Sequence, residues 1–301
     1  HISEADQLLL QNKFAQAEKA YRQLIEADEN GDAYAGLAVA LAKQHQKDPK
    51  KVIEAEQILR QGKEEFPNNP NMMAAAGFVA LIHSKNVASP AKRDLYIDAS
   101  VTMSEQAILA NPEMVIAQQT LGLAKLAQDN PEAAIKPFNI CYKITQDKVN
   151  ATLLAKAMLM VNPRNKQANE LIDAALEEDP EYSPAKLQKS IYLTNTGKHE
   201  EAFTELHSIP RLQRGSDWFS VQGDIFKKQG DGNSSVNSWN LSLQKNPRNP
   251  DPYKKLAEHY TIRGDGELAI AQMHSALEIL PNDTKLRQKL AELALRLNKL
   301  E

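Results

Sequence analysis

The chain has 301 residues, 42% of them hydrophobic and 25% charged, a balance ordinary for a globular protein and too apolar for disorder. A formal net charge of -3 gives no global electrostatic case for nucleic acid or an anionic membrane. The mean hydropathy of -0.51, with no long apolar run, excludes a membrane span, and a lone cysteine, Cys141, excludes an internal disulfide or a thiolate metal cage.

In chain order, residues 1–30 read as a reduced helical unit that lacks most of its first helix. The start at His1 predicts a processing site or fragment boundary with any signal peptide missing. The compartment, cytoplasmic or periplasmic, is therefore not readable. Residues 31–69 form the next unit, with small residues at Ala38 and Gly62 and about five extra residues around Gln44–Lys51. Residues 70–114 carry Gly77 and Ala107, with about eleven extra around His83–Arg93. Asp48-Pro49 and Ser89-Pro90 each pair a capping residue with a first-turn proline, which predicts second helices lengthened at their N-termini. Lys47, Lys50, Lys51, Lys92 and Arg93 make these insertions basic: a solvated edge or a docking patch. Residues 115–148 bring Gly122, Ala134 and Cys141; residues 149–182 bring Ala168 and Ala175, but Lys156 where a small residue is due. Residues 183–215, 216–249 and 250–283 repeat the pattern with Ser190, Gly223 and Ala257 in their first helices. In residues 284–301, Leu286, Leu290, Leu293 and Leu297 recur at helical spacing, as in a C-terminal capping helix.

The spacing is the main signal. Steps between the small residues Gly122, Ser190, Gly223, Ala257 and Ala291 are 68, 33, 34 and 34. Prolines Pro67, Pro112, Pro180, Pro247 and Pro281 close the units, and Gly197, Gly230 and Gly264 stand at turns between paired helices, where a positive φ ends a helix. Two antiparallel helices of about twelve residues and two short turns need roughly 34 residues, and small side chains recur where helices cross. Segment 250–283 (Leu256-Ala257, Tyr260, Gly264-Asp265, Ala269, Ala276, Pro281) and segment 115–148 (Leu121-Gly122, Ala134, Phe138, Cys141) resemble the tetratricopeptide repeat. The resemblance covers almost the whole chain. It implies an all-α superhelical solenoid of about eight helix-turn-helix repeats plus the cap, forming one domain over 1–301.

No catalytic constellation is present. The seven histidines are scattered, and His199 and His207, on one predicted helix, are separated by roughly 12 Å along its axis. No zinc, calcium or phosphate-loop motif occurs; Gly230-Asp231-Gly232 and Gly264-Asp265-Gly266 read as turns. Cys141 reads as a packing thiol, and Trp218 and Trp239 as core anchors. The expectation is a protein without enzyme activity, cofactor or metal.

In this family the first helices line the concave face that usually holds the ligand. Projected from the register, the candidate groove comprises Val39, Phe78, Leu81, Gln119, Leu123, Leu126, Leu153, Met160, Leu187 and Ile191. Toward the C-terminus the same face turns charged, through Asp217, Ser220, Asp224, Lys227, Asp251, Lys254 and Glu258. Two readings of the apolar stripe stand side by side: a groove for a peptide or amphipathic helix, or burial against neighbouring repeats. The lysine and asparagine set that clamps chaperone tails in one branch of the family is not found in three successive repeats. The function expected is a scaffold or adaptor binding a protein or peptide, without nucleic acid or membrane insertion. The alternatives are an assembly module of a larger envelope, secretion or polymer-export complex, and self-association through the N-terminal helix or convex surface.

Overall fold

The computed structural model describes residues 3–27 and 30–298; His1 and the last three residues of the predicted cap lie outside them. Among the described residues every α or β element is helical. The helices are α1 (Glu4–Leu10), α2 (Phe14–Ala27), α3 (Gly31–Lys43), α4 (Lys50–Glu65), α5 (Pro70–Ser84), α6 (Pro90–Ala110), α7 (Val115–Ala127), α8 (Pro131–Thr145) and α9 (Lys148–Val161). They continue with α10 (Lys166–Glu178), α11 (Ser183–Asn195), α12 (His199–His207), α13 (Ser216–Lys228), α14 (Gly232–Lys245), α15 (Pro250–Arg263), α16 (Gly266–Ile279) and α17 (Thr284–Asn298). Two compact units result, residues 1–157 and 158–301.

In the first unit each odd-numbered helix pairs with the next, and α3, α5 and α7 also pack side by side. Helices α2, α4 and α6 each touch their own partner and the following first helix, so α3, α5 and α7 form one layer of a stack. Residues at the pair crossings are small for a steric reason. A Cβ on Gly122 would stand 2.5 Å from the Phe138 ring. Ser3 opens α1 with a capping box to Asp6, whose other oxygen accepts the Tyr21 hydroxyl at 2.6 Å. Tyr21 in turn fills the space over Gly36. Val52, Leu37, Leu41, Val79 and Phe78 continue that core.

The two insertions behave differently. Ser89 caps α6 through Lys92 N–H, and α6 runs 21 residues, so the extra length is helical as expected. In the second repeat the expectation fails: Pro49 occupies the N-cap without a side-chain bond, and Gln44–Asp48 form the turn itself. The Asp48 side chain accepts from the Lys50 N–H, two residues on, which is turn geometry.

The second unit is built alike. Gly197, Gly230 and Gly264 adopt φ of 86°, 84° and 84°, closing α11, α13 and α15. Trp218 is buried, donating from Nε1 to the Leu206 carbonyl at 2.8 Å, with Leu193, Ile209 and Ile225 in the same core. At the far end Leu286, Leu290 and Leu293 of α17 cover Met273 and Ala276, and Leu297 lies over Gly266. The last hairpin's apolar face is closed.

Candidate functional site

Counted from the first residue of each first helix, the crossing residue is always the eighth: Ala38, Gly77, Gly122, Ser190, Gly223 and Ala257. In α9 the eighth residue is Ala155, fully buried, and not Lys156. This corrects the sequence register by one position. The turn before α9 is only Gln146-Asp147, where four residues precede α5, α7, α11 and α15, and Gln146 takes a left-handed φ of 50°. The lost residue is regained before α10, whose Ala168 is back on the 34-residue spacing.

The ninth residue of each first helix faces one step round from the crossing. In the first unit this position holds Val39, Phe78, Leu123 and, after the correction, Lys156. Val39, Phe78 and Leu81 are buried, at 5%, 7% and 3% exposure, and form a floor instead of an open surface. Gln119, Leu123, Leu126 and Leu153 are half-buried. The Gln119 amide donates to Asn150 Oδ1 at 3.0 Å, joining α7 to α9. Met160, in the second unit, is 45% exposed, and Leu187 and Ile191 there are half-buried beside Trp218 and Val221.

Above the floor of the first unit stand cations that the sequence reading passed over. The Lys43 ammonium sits 5.0 Å from the centroid of the Phe78 ring. Lys85 caps the end of α5, and Lys156 is half-buried on α9. Lys43 and Lys85 are exposed at the surface, yet the neighbouring protein lowers both pKa values by partial desolvation, with Lys85 adding to the effect on Lys43 and Lys156 to that on Lys85. Their signal in the sequence was a lone cation ending the otherwise apolar helices α3 and α5. By contrast Lys51, of the basic insertion, is bound to Glu18 and Glu54, and Arg93 to Asp94.

The second unit carries the charged stretch. Lys255 Nζ lies 2.6 Å from Asp224 Oδ2, 2.7 Å from Asp251 Oδ2 and 2.8 Å from Ser220 Oγ. Burial raises Asp224, helped by the neighbouring Asp251; burial opposes the charge of Asp251 too, but Lys255 and Ser220 hold it below the usual carboxylate range. Trp239 Nε1 donates to the remaining Asp224 oxygen at 3.2 Å, and Lys227 pairs with Glu258. Asp224, Lys227, Lys255 and Glu258, with Ile191, Thr194 and Val221, line a recess of about 150 Å³. Its charges are matched among themselves, which suits structure as well as recognition.

Cys141 is fully buried, its thiol donating weakly to the Val115 carbonyl, and burial pushes its pKa up to about 12. Among the described residues no three His, Cys, Asp or Glu side chains gather to hold a metal, and no helix is long and apolar enough to cross a membrane.

Comparison with known proteins agrees with this architecture. Residues 2–70 match the family model described as "Tetratricopeptide repeat". No curated protein matches the sequence. Among solved structures, the chain is similar to a tetratricopeptide repeat protein from Parabacteroides merdae, with 14% identity, a TM-score of 0.61 and coverage of 92% of this chain and 99% of that one. It is also similar to a chain of the APC/C hetero-tetramer Cut9-Hcn1, with 16% identity and a TM-score of 0.60. That match covers 96% of this chain, which spans only 54% of the other. At such identities the likeness is one of fold.

Proposed function

We propose, from the premise that the chain is a tetratricopeptide-repeat protein, that it is a protein–protein interaction scaffold holding a peptide or amphipathic helix against the first helices. The observation that carries this reading is the half-buried apolar pair Leu123 and Leu126 of α7, which hold the same ninth and twelfth helix positions as the closed Phe78 and Leu81 of α5. Such a pair gains from being covered by apolar side chains of a partner, about 25 cal/mol per Å² removed from water. The closed positions of α5 contribute rigidity and the α7 pair contributes contact area. Chemistry is left to the partner.

The test is capture of partners by the full chain with crosslinking mass spectrometry, reading crosslinks from Lys125 and Lys156. The double variant Leu123→Glu, Leu126→Glu is expected to lose crosslinked partners at least about tenfold while keeping its helical circular dichroism, because charge on the pair opposes burial. Undiminished capture by a folded double variant would overturn the reading.

A further inference from the structure

The connection between α12 and α13 departs from its counterparts in the second unit. Four residues join α10 to α11, α14 to α15 and α16 to α17, whereas eight, 208–215, lead from α12 to α13. Helix α12 is correspondingly short, at 9 residues, and Pro210, with no N–H to donate, does not extend it. The longer connection is firmly held. Ile209 is buried, and the Gln213 N–H donates to the Pro210 carbonyl at 2.9 Å around the 3-10 turn Arg211–Gln213. Arg214 braces that turn: Nε donates to the Ile209 carbonyl at 2.9 Å, Nη2 donates to the His207 carbonyl at 2.8 Å, and the guanidinium lies 4.6 Å from the centre of the Trp218 ring. At the apex Leu212 is 102% exposed, beside an exposed Arg211 that has no carboxylate partner among the described residues. A leucine with every face wet adds nothing to the core, yet the turn that presents it is fixed in advance, which lowers the ordering cost of using it as an anchor.

The recess of the same unit has the complementary need. Ile191 of α11 and Val221 of α13 give it an apolar floor, and its charges are already matched, Lys255 on Asp224 at 2.6 Å and Lys227 on Glu258 at 3.0 Å. What it lacks is an apolar group over that floor. A space of about 150 Å³ takes a group the size of benzene, and a leucine side chain is smaller. On the rim, Glu258 gives Oε1 to Lys227 and is 59% exposed, so its second oxygen is open to another cation. We propose that Leu212 of one molecule seats in the recess of a second copy of this chain, with Arg211 of the first on Glu258 of the second. Leu212 is fully wet in its own chain, so the recess it fills belongs to another molecule. Knob and recess are different surfaces of one chain, and the contact therefore runs head to tail, into a ring or an open row. A contact centred on one turn falls short of the roughly 1,200 Å² of a stable interface, which makes the association weak and dependent on concentration. It involves neither Leu123 nor Leu126 and is independent of the scaffold reading.

The experiment is analytical ultracentrifugation of the full chain from about 1 µM to about 1 mM, where the average mass of the parent is expected to climb with concentration. Leu212→Ser, a change at a fully exposed site, is expected to weaken association at least about tenfold and to leave the melting temperature unchanged. Ile191→Glu is expected to weaken it as much from the recess side; if that variant does not fold, the exposed change Glu258→Arg takes its place. A mixture then separates this contact from any other. Leu212→Ser keeps its recess and Ile191→Glu keeps its knob, so in equal amounts they are expected to form a dimer that grows no further, although neither associates alone. Arg211→Glu and Glu258→Arg are each expected to weaken association and, combined in one chain, to restore it. A parent that stays monomeric throughout the range overturns the inference. So does association that survives Leu212→Ser, and so does a mixture that fails to dimerise, which would assign any self-association to like surfaces. The Leu123→Glu, Leu126→Glu chain is expected to associate as the parent does, so that failure of either reading leaves the other standing.

Discussion

Gly122 shows at one residue how this fold spends its small side chains. The ring of Phe138 occupies the space a β-carbon would need, at 2.5 Å, and Phe138 is itself fully buried with nowhere to move. Gly122→Ala is therefore expected to destabilise the chain by about 1–3 kcal/mol, by overpacking, despite the higher helix propensity of alanine. Urea denaturation followed by circular dichroism checks it; a neutral or stabilising result would mean that α7 and α8 can separate freely. The same residue scale explains why the inner lysines were illegible. Apolar periodicity marks which face is buried, but a lysine at the end of a helix reads as an ordinary favourable terminal cation. Its lack of a partner depends on which side chains from other repeats come near.

At the scale of one element, α17 is the instructive helix. Leu286, at 6% exposure, packs over Met273 and Ala276. Replacing Leu286 by Ala is expected to cost about 2–3 kcal/mol and to raise hydrogen exchange first in α15 and α16, since each repeat leans on its neighbours. Uniform exchange along the chain would contradict that local coupling. The presence and purpose of α17 were plain from four leucines at helical spacing. Helix α9 was less so. Its crossing residue was misplaced because a constant period was carried through Gln146-Asp147, where the backbone turns in fewer residues. The buried pattern of Ala151, Leu154, Ala155 and Met158 corrects it. Two alanines flank Lys156, so the sequence alone offered no choice between them. The misreading of Asp48-Pro49 has a similar cause: the dipeptide suits a helix start and a tight turn equally well.

Over the whole molecule, acid tests the ionic ties. Burial alone would raise the carboxyls of Glu18, Asp147 and Asp283, but Lys51, Gln44 and Arg22 around Glu18, Thr145 and Asn150 around Asp147, and Lys254 beside Asp283 hold all three below their ordinary range. A depressed folded-state pKa contributes stability above the unfolded value of about 4, and that contribution vanishes as the pH falls through the lower folded value. The melting temperature is thus expected to stay level from pH 7 to about 5 and to drop below about 4. Glu18→Gln should lower it by the equivalent of about 1 kcal/mol at pH 7 and flatten the acid slope. A variant as acid-sensitive as the parent would remove Glu18 from the account. The overall architecture was legible because small residues, prolines and glycines all kept one period. The chemistry of the inner face was only half legible, because it is set by what lies across from each side chain.

The short turn before α9 has a consequence for how such a protein can change. Burial of the alanines decides which way α9 rotates, and the connection stretches or shrinks to suit. The connection at Gln146-Asp147 is short and the one before α4 is long, yet the crossing residue is still the eighth of its helix in α3 and in α9. A change in the length of a connection therefore exchanges the side chains shown at the lining positions of the next helix, as the turn at Gln146-Asp147 sets Lys156 at the ninth place of α9.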